Sequence, residues 1–223
     1  MSRKETKYLI LIVFIFISAC IETDIYLPTF PDMMDFFSTS EEAIQSLLTW
    51  NFFGICISGP FYGPISDAIG RRKPILIALS LFLIGSILTL ISQDFQGMLW
   101  GRILQGIGSG GCFTLGTAAI FDVFTQQSAM KAINKLNLMI PFIMSLAPML
   151  GGYLNYVYGF RSNFIAITLL VCISLIACFF VFEETNQPPR HALQLKKICK
   201  PLIIFIFSIL SNIKTSSIRS HHY

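Results

Sequence analysis

Residues 8–30 read YLILIVFIFISACIETDIYLPTF. From Tyr8 to Ile21 no side chain is charged, and the whole stretch holds only two carboxylates, Glu22 and Asp24. A hydrocarbon core about 30 Å thick needs roughly 20 apolar residues in a helix. A chain without water around it must satisfy its own backbone, so a span of this kind is helical. Arg3, Lys4 and Lys7 in front of it suit a secretory leader. The apolar stretch is too long for one and no small-residue cleavage site stands out, so the segment is read as a retained first span.

Five more such runs follow, at about 43–65, 74–92, 98–121, 136–157 and 162–182. A seventh, at 198–211, is shorter than a comfortable span. Of the 223 residues, 54% are hydrophobic and 13% charged, against about a quarter charged in soluble domains. That leaves too little polar surface to cover a globule in water, and the 21 phenylalanines suit lipid-facing helix surfaces. The fold class expected is an all-α membrane protein, a six-helix transmembrane bundle. The net charge of +4 does not mark a nucleic-acid binder, because the bases fall in short clusters between apolar runs.

Those clusters assign sides. Arg3, Lys4 and Lys7 precede the first run. The first loop carries Asp32, Asp35, Glu41 and Glu42, the second Arg71, Arg72 and Lys73, and the third Asp94. The fourth carries Lys131 and Lys135, the fifth Arg161, and Arg190, Lys196, Lys197 and Lys200 follow the sixth run. The alternation predicts a multi-pass protein with its N-terminus, and the end of the six-span unit, in the cytoplasm. Small residues at helix spacing, Gly106 with Gly110 and Gly59 with Gly63, are expected to let backbones approach closely.

No catalytic constellation is present: no Ser/His/Asp or Cys/His arrangement and no metal-ligand spacing. Cys20, Cys56, Cys112, Cys172, Cys178 and Cys199 lie in or beside apolar runs without a CxxC pair, as small apolar filler. His191, His221 and His222 lie in polar segments near the end. An enzyme is not expected, nor is a metal or organic cofactor.

Three ionisable residues fall inside spans: Glu22, Asp24 and Arg102. Each costs roughly 2.5–3.5 kcal/mol at a helix centre and belongs in a bundle interior or a water-filled cavity. Measured from Phe30, Asp24 lies about 9 Å below the outer surface, and Arg102 about 6 Å below it, at 1.5 Å per residue. Opposite charges at similar depth form either a coupling site, where moving the guanidinium changes the carboxylate's proton affinity, or a static ion pair. Depth alone does not separate the two. Glu22 and Asp24 are two residues apart and cannot share one helix face.

Several stretches resemble a known family. Gly63, Asp67, Gly70, Arg71 and Arg72, in GPISDAIGRRK (residues 63–73), resemble the loop signature between the second and third helices of the major facilitator superfamily. There Gly63 is expected to permit close helix contact and Gly70 to allow the turn. RILQGIG (102–108) resembles that superfamily's fourth-helix motif, and APMLGG (147–152), with Pro148, Gly151 and Gly152, its fifth-helix antiporter motif. A bend is expected at Pro148. TDIYLPTFP (23–31) resembles the end of the first helix in the Bcr/CflA group of drug:proton antiporters, as do Asp122, Gly159 to Arg161, and Glu184 with Thr185.

The resemblance implies an N-terminal six-helix half over residues 1–185, made of two inverted three-helix repeats, then a cytoplasmic linker and short apolar remnant over 186–223. It implies proton-coupled efflux of hydrophobic drugs across the bacterial inner membrane by alternating access, driven by the proton gradient. Asp24 is the implied proton acceptor with Arg102 its partner and Glu22 secondary. Tyr26, Asn51, Phe52 and Met144 are implied cavity liners. The implied partners are the lipid bilayer, small hydrophobic drug-like substrates, protons, and either a second six-helix half or a second copy. The chain departs from the motifs at Ala68, Phe121 and Ala147. The family has twelve spans, so a truncated product is also expected, and a non-transporting remnant stands as the alternative.

Overall fold

The computed structural model describes residues 3–185, and every regular element there is helical. The 198–211 run and the bases Arg190, Lys196, Lys197 and Lys200 lie outside the described residues. Helix α1, Arg3–Asp24, ends before the first apolar run does. The chain then turns through a 3-10 segment, Leu27–Thr29, with Pro28 in its first turn, and enters a short helix α2, Phe30–Phe37, led by Pro31. Proline is tolerated there because the first helical N–H groups have no intrahelical partner. The segment read as one straight span is therefore a helix, a turn and a second helix.

Helix α3, Glu41–Ile69, starts where the Ser40 hydroxyl accepts the Ala43 N–H at 3.3 Å, with Glu41 and Glu42 complementing its positive end. It stops at Gly70, whose φ of +94° a residue with a side chain rarely adopts. Helices α4 (Arg72–Ile91), α5 (Phe95–Val123), α6 (Gln126–Tyr158) and α7 (Arg161–Val181) complete the bundle. The fourth loop is shorter than expected. Residues 126–135 are polar but rich in helix formers, so they extend α6 and place Lys131 and Lys135 on its first turns.

Five stretches among the described residues are long and apolar enough to cross a membrane: Glu5–Phe37, Arg72–Ile91, Phe95–Val123, Gln126–Tyr158 and Arg161–Val181. The expected second span is not among them. Its helix, α3, has 29 residues, but Gln45, Asn51, Ser58 and two prolines dilute its apolar character.

Helix α5 packs between α3 and α4. A Cβ at Gly106 would strike the Asn51 carbonyl of α3, and one at Gly108 would strike the Phe82 backbone of α4. The expected close approach at Gly59 and Gly63 is not found. A Cβ at either meets only the Thr114 side chain, at 3.4 and 4.0 Å, which is ordinary contact. The tight position on α3 is Gly54, where a Cβ would lie 2.7 Å from the Ile103 carbonyl oxygen.

Candidate functional site

Ile12, Ile15, Ala19 and Glu22 follow one another at steps of three or four residues, so they share one face of α1. All four are fully buried. The stripe delivers the Glu22 carboxylate to Arg102 on α5, whose Nη1 donates to Glu22 Oε1 at 2.7 Å with neither side chain exposed. Asn51 on α3 donates its Nδ2 to the same oxygen at 2.8 Å and to the Arg102 carbonyl at 3.2 Å. Arg102 Nη1 also donates to Gln105 Oε1 at 3.1 Å, and Gln105 Nε2 donates to the Ser86 hydroxyl on α4 at 3.0 Å. The guanidinium lies 3.5 Å from the Tyr26 ring centroid and 5.2 Å from that of Phe164 on α7. Both faces suit a cation.

One guanidinium nitrogen thus serves two acceptors. Glu22 Oε2, Asn51 Oδ1, the Tyr26 hydroxyl, and Arg102 Nε and Nη2 are buried without a hydrogen-bond partner among the described residues. No nucleophile stands against a base here. The chemistry open to the cluster is exchange of acceptors: a proton on Glu22 removes the charge that holds Arg102 and leaves it on Tyr26 and Gln105.

The expected pairing of Asp24 with Arg102 is corrected. Asp24 is the last residue of α1, half-buried, and forms no ion pair with Arg102 among the described residues. Depth measured from Phe30 assumed a straight helix, and the turn at Leu27–Thr29 removes that reference. Of the four implied cavity liners, Tyr26 and Asn51 are buried in the Arg102 cluster. Phe52 is half exposed on α3 and Met144 half-buried on α6, and neither joins them there.

At the Arg71 end of the bundle the loop between α3 and α4 is tied down. Arg71 Nε donates to Asp122 Oδ2 at 2.8 Å, and its Nη1 lies 2.5 Å from Asp67 Oδ1 and donates to the Ser66 hydroxyl. Asp67 is 64% exposed, so its share is screened and contributes under about 1 kcal/mol; the Asp122 link is the stronger. Burial opposes the Arg71 charge, but the Asp122 hydrogen bond and the charges of Asp122 and Asp67 outweigh it and raise the pKa above the usual arginine value. Glu184, just past α7, accepts the backbone N–H groups of Arg71 at 2.7 Å and Arg72 at 3.3 Å. It caps α4, whose first N–H groups and positive dipole end favour an anion.

At the opposite end, a Cβ at Gly151 would run into the Ile25 carbonyl, so that glycine lets α6 close over the end of α1. Asn163 Nδ2 donates to the Ile25 and Gly151 carbonyls, both at 3.2 Å. Gly152 meets only Pro28 Cβ, at 3.7 Å, and α6 runs on through Pro148.

A profile of the Major Facilitator Superfamily matches residues 12–218. The chain belongs to the major facilitator superfamily. Among its superfamily relatives, Multidrug resistance protein D of Escherichia coli is 27% identical over 168 residues, which are 75% of this chain and 42% of that protein. The Bicyclomycin resistance protein homolog of Haemophilus influenzae is 25% identical over 185 residues, 81% of this chain and 46% of that protein. The chain therefore spans less than half the length of these relatives. Among solved structures, that of the human organic anion transporter MFSD10 (TETRAN) superposes with a TM-score of 0.68 at 19% identity, covering 83% of this chain and 49% of that one. That likeness shows the superfamily fold.

Sequence reasoning passed over Ser86, Asn163 and the capping role of Glu184. Ser86 and Asn163 had a legible signal, each being a polar side chain inside or at the edge of an apolar run. Glu184 had none, since its partners are backbone groups more than a hundred residues away.

Proposed function

We propose that this chain forms one wall of a proton-coupled exporter of hydrophobic, drug-like molecules in the bacterial inner membrane. The proton gradient is its energy source, and no metal or organic cofactor takes part. The observation that carries the reading is the Glu22–Arg102 pair, two opposite charges without exposed surface, bridged by Asn51. Charges at membrane depth are costly, and in transporters they mark proton and substrate pathways. Glu22, in contact with Arg102, is the carboxylate assigned the proton; Asp24 takes a secondary place. The names of the two relatives, a multidrug resistance protein and a bicyclomycin resistance protein homolog, support multidrug efflux, and the alternation of basic loops supports a cytoplasmic N-terminus.

Alternating access rocks two walls about a central site. The second wall comes from another six-helix half or from a second copy. The test is ethidium retention in a strain stripped of its own exporters. Cells carrying this chain are expected to retain less ethidium than cells with an empty vector, and a proton uncoupler or Glu22→Gln is expected to abolish the difference. Retention equal to the empty vector favours a non-transporting remnant, and export that survives Glu22→Gln removes Glu22 from the mechanism.

A further inference from the structure

We propose that Ser86 of α4 is a positioning residue for the coupling site, fixing the Gln105 amide as a standing neutral acceptor for Arg102. The inference deepens the reading of Glu22 as the proton carrier and rests on it. Arg102 reaches both acceptors with one nitrogen: its Nη1 donates to Glu22 Oε1 at 2.7 Å and to Gln105 Oε1 at 3.1 Å. An amide has a donor end and an acceptor end, and only the acceptor end serves a guanidinium. The Ser86 hydroxyl enforces that orientation. Its own proton is committed to the Phe82 carbonyl one turn back, at 2.9 Å, so toward Gln105 it can only accept, and it takes the Nε2–H at 3.0 Å. The donors therefore run one way, from the guanidinium through Gln105 and Ser86 to the backbone of α4. Arg102, Gln105 and Ser86 are all fully buried, so solvent does not compete for the amide. The backbone around the link is close-packed. A Cβ at Gly85 would lie 2.5 Å from the Gln105 nitrogen, and one at Gly101 would lie 2.8 Å from the Thr89 nitrogen.

While Glu22 is ionised, the carboxylate is the stronger acceptor and the longer Gln105 bond is the weaker one. A proton on Glu22 removes its charge, and Gln105 is then the acceptor that keeps the buried guanidinium satisfied. The anchored amide thus stabilises the protonated state more than the ionised one. Without the Ser86 hydroxyl the amide loses its anchor, the protonated state loses more, and Glu22 takes up its proton only at lower pH. The titratable groups that face Glu22 are Arg102 of α5 and, at the end of α1, Asp24 and Tyr26. Helices α3, α4 and α7 bring Asn51, Ser86 and Phe164 to the cluster, none of which titrates, and α6 meets the end of α1 through Gly151.

The test is infrared difference spectroscopy of the purified full-length chain in detergent, titrated with acid. The protonated-carboxyl band that is lost in Glu22→Gln reports the midpoint of Glu22. Ser86→Ala is expected to lower the proton affinity about tenfold, a shift of about 1 pH unit toward acid, as for loss of one hydrogen bond to a charged group. Ser86→Thr, which keeps the hydroxyl, is expected to hold the original midpoint. Ser86→Cys, a weaker acceptor of similar volume, is expected to give a smaller acid shift, and it carries the test if Ser86→Ala does not fold. Gln105→Leu is expected to shift the midpoint as Ser86→Ala does, and adding Ser86→Ala to it to move the midpoint no further. Ser174→Ala breaks the buried 2.9 Å bond between the Ser18 and Ser174 hydroxyls, and it is expected to cost stability without moving the midpoint. An unchanged or alkaline-shifted midpoint in Ser86→Ala overturns the proposal, as does an equal shift in Ser174→Ala or a further shift on top of Gln105→Leu; each leaves Glu22 as the proton carrier. A chain in which no such band titrates removes Glu22 from that role, and the proposal falls with it.

Discussion

Removing one partner of the Glu22–Arg102 pair at a time measures how tightly the two charges depend on each other. Arg102→Met deletes the 2.7 Å contact to Glu22, the Gln105 bond and the cation over Tyr26. Glu22 then keeps the hydrogen bond from Asn51. Because neither side chain has exposed surface, water does not screen the loss, and breaking a buried pair costs about 3–5 kcal/mol. Glu22→Gln leaves the guanidinium unpaired and costs a similar amount. The double replacement removes both charges together, and replacing a whole buried pair is often close to neutral, so it is expected to cost no more than about 2 kcal/mol. The double variant should therefore fall short of the summed singles by at least about 4 kcal/mol, well beyond the roughly 0.5 kcal/mol scatter of independent sites. The assay is reversible unfolding in mixed detergent micelles, followed by the fluorescence of Trp50 and Trp100. A parallel cycle with Asp24→Asn and Arg102→Met is expected to be additive. Coupling in the Asp24 cycle, with additivity in the Glu22 cycle, refutes the assigned pairing.

Three further outcomes follow from the packing. Gly151→Ala places a methyl group on the Ile25 carbonyl and is expected to cost about 1–3 kcal/mol in the same unfolding assay, whereas Gly152→Ala, with 3.7 Å to Pro28, is expected to be tolerated. Gly106→Ala, against the Asn51 carbonyl, should likewise destabilise the α3–α5 contact, while Gly63→Ala should leave stability unchanged or slightly raised, since α3 gains a better helix former. Glu184→Ala removes the cap on α4 and should cost about 0.5–2 kcal/mol, with faster tryptic cleavage at Arg71 and Arg72 as the local readout.

How far the sequence carried can be argued residue by residue. Helix positions came from apolar run length, which works because a membrane span must be helical. Their ends were less legible. Pro28 and Pro31 break the first segment into α1, a turn and α2, and the polar stretch before Leu136 extends α6 because propensity outweighs hydropathy there. The presence of charges in the bundle was plain, but their pairing was not. Depth along an axis ignores direction around it, and the stripe of Ile12, Ile15, Ala19 and Glu22 holds that direction. The Asn51 bridge, the Gln105–Ser86 link and the Glu184 cap join residues 19 to 113 positions apart, which no local pattern records.

Proton release on drug binding tests the coupling role most directly, because it needs no completed transport cycle. The purified chain is held in weakly buffered detergent solution, acid enough to protonate Glu22 and break its pair with Arg102, with a pH dye, and ethidium is added. Displacing a proton from Glu22 predicts a transient acidification in the unaltered chain and in Asp24→Asn, and none in Glu22→Gln. Acidification of equal size in Glu22→Gln contradicts the account.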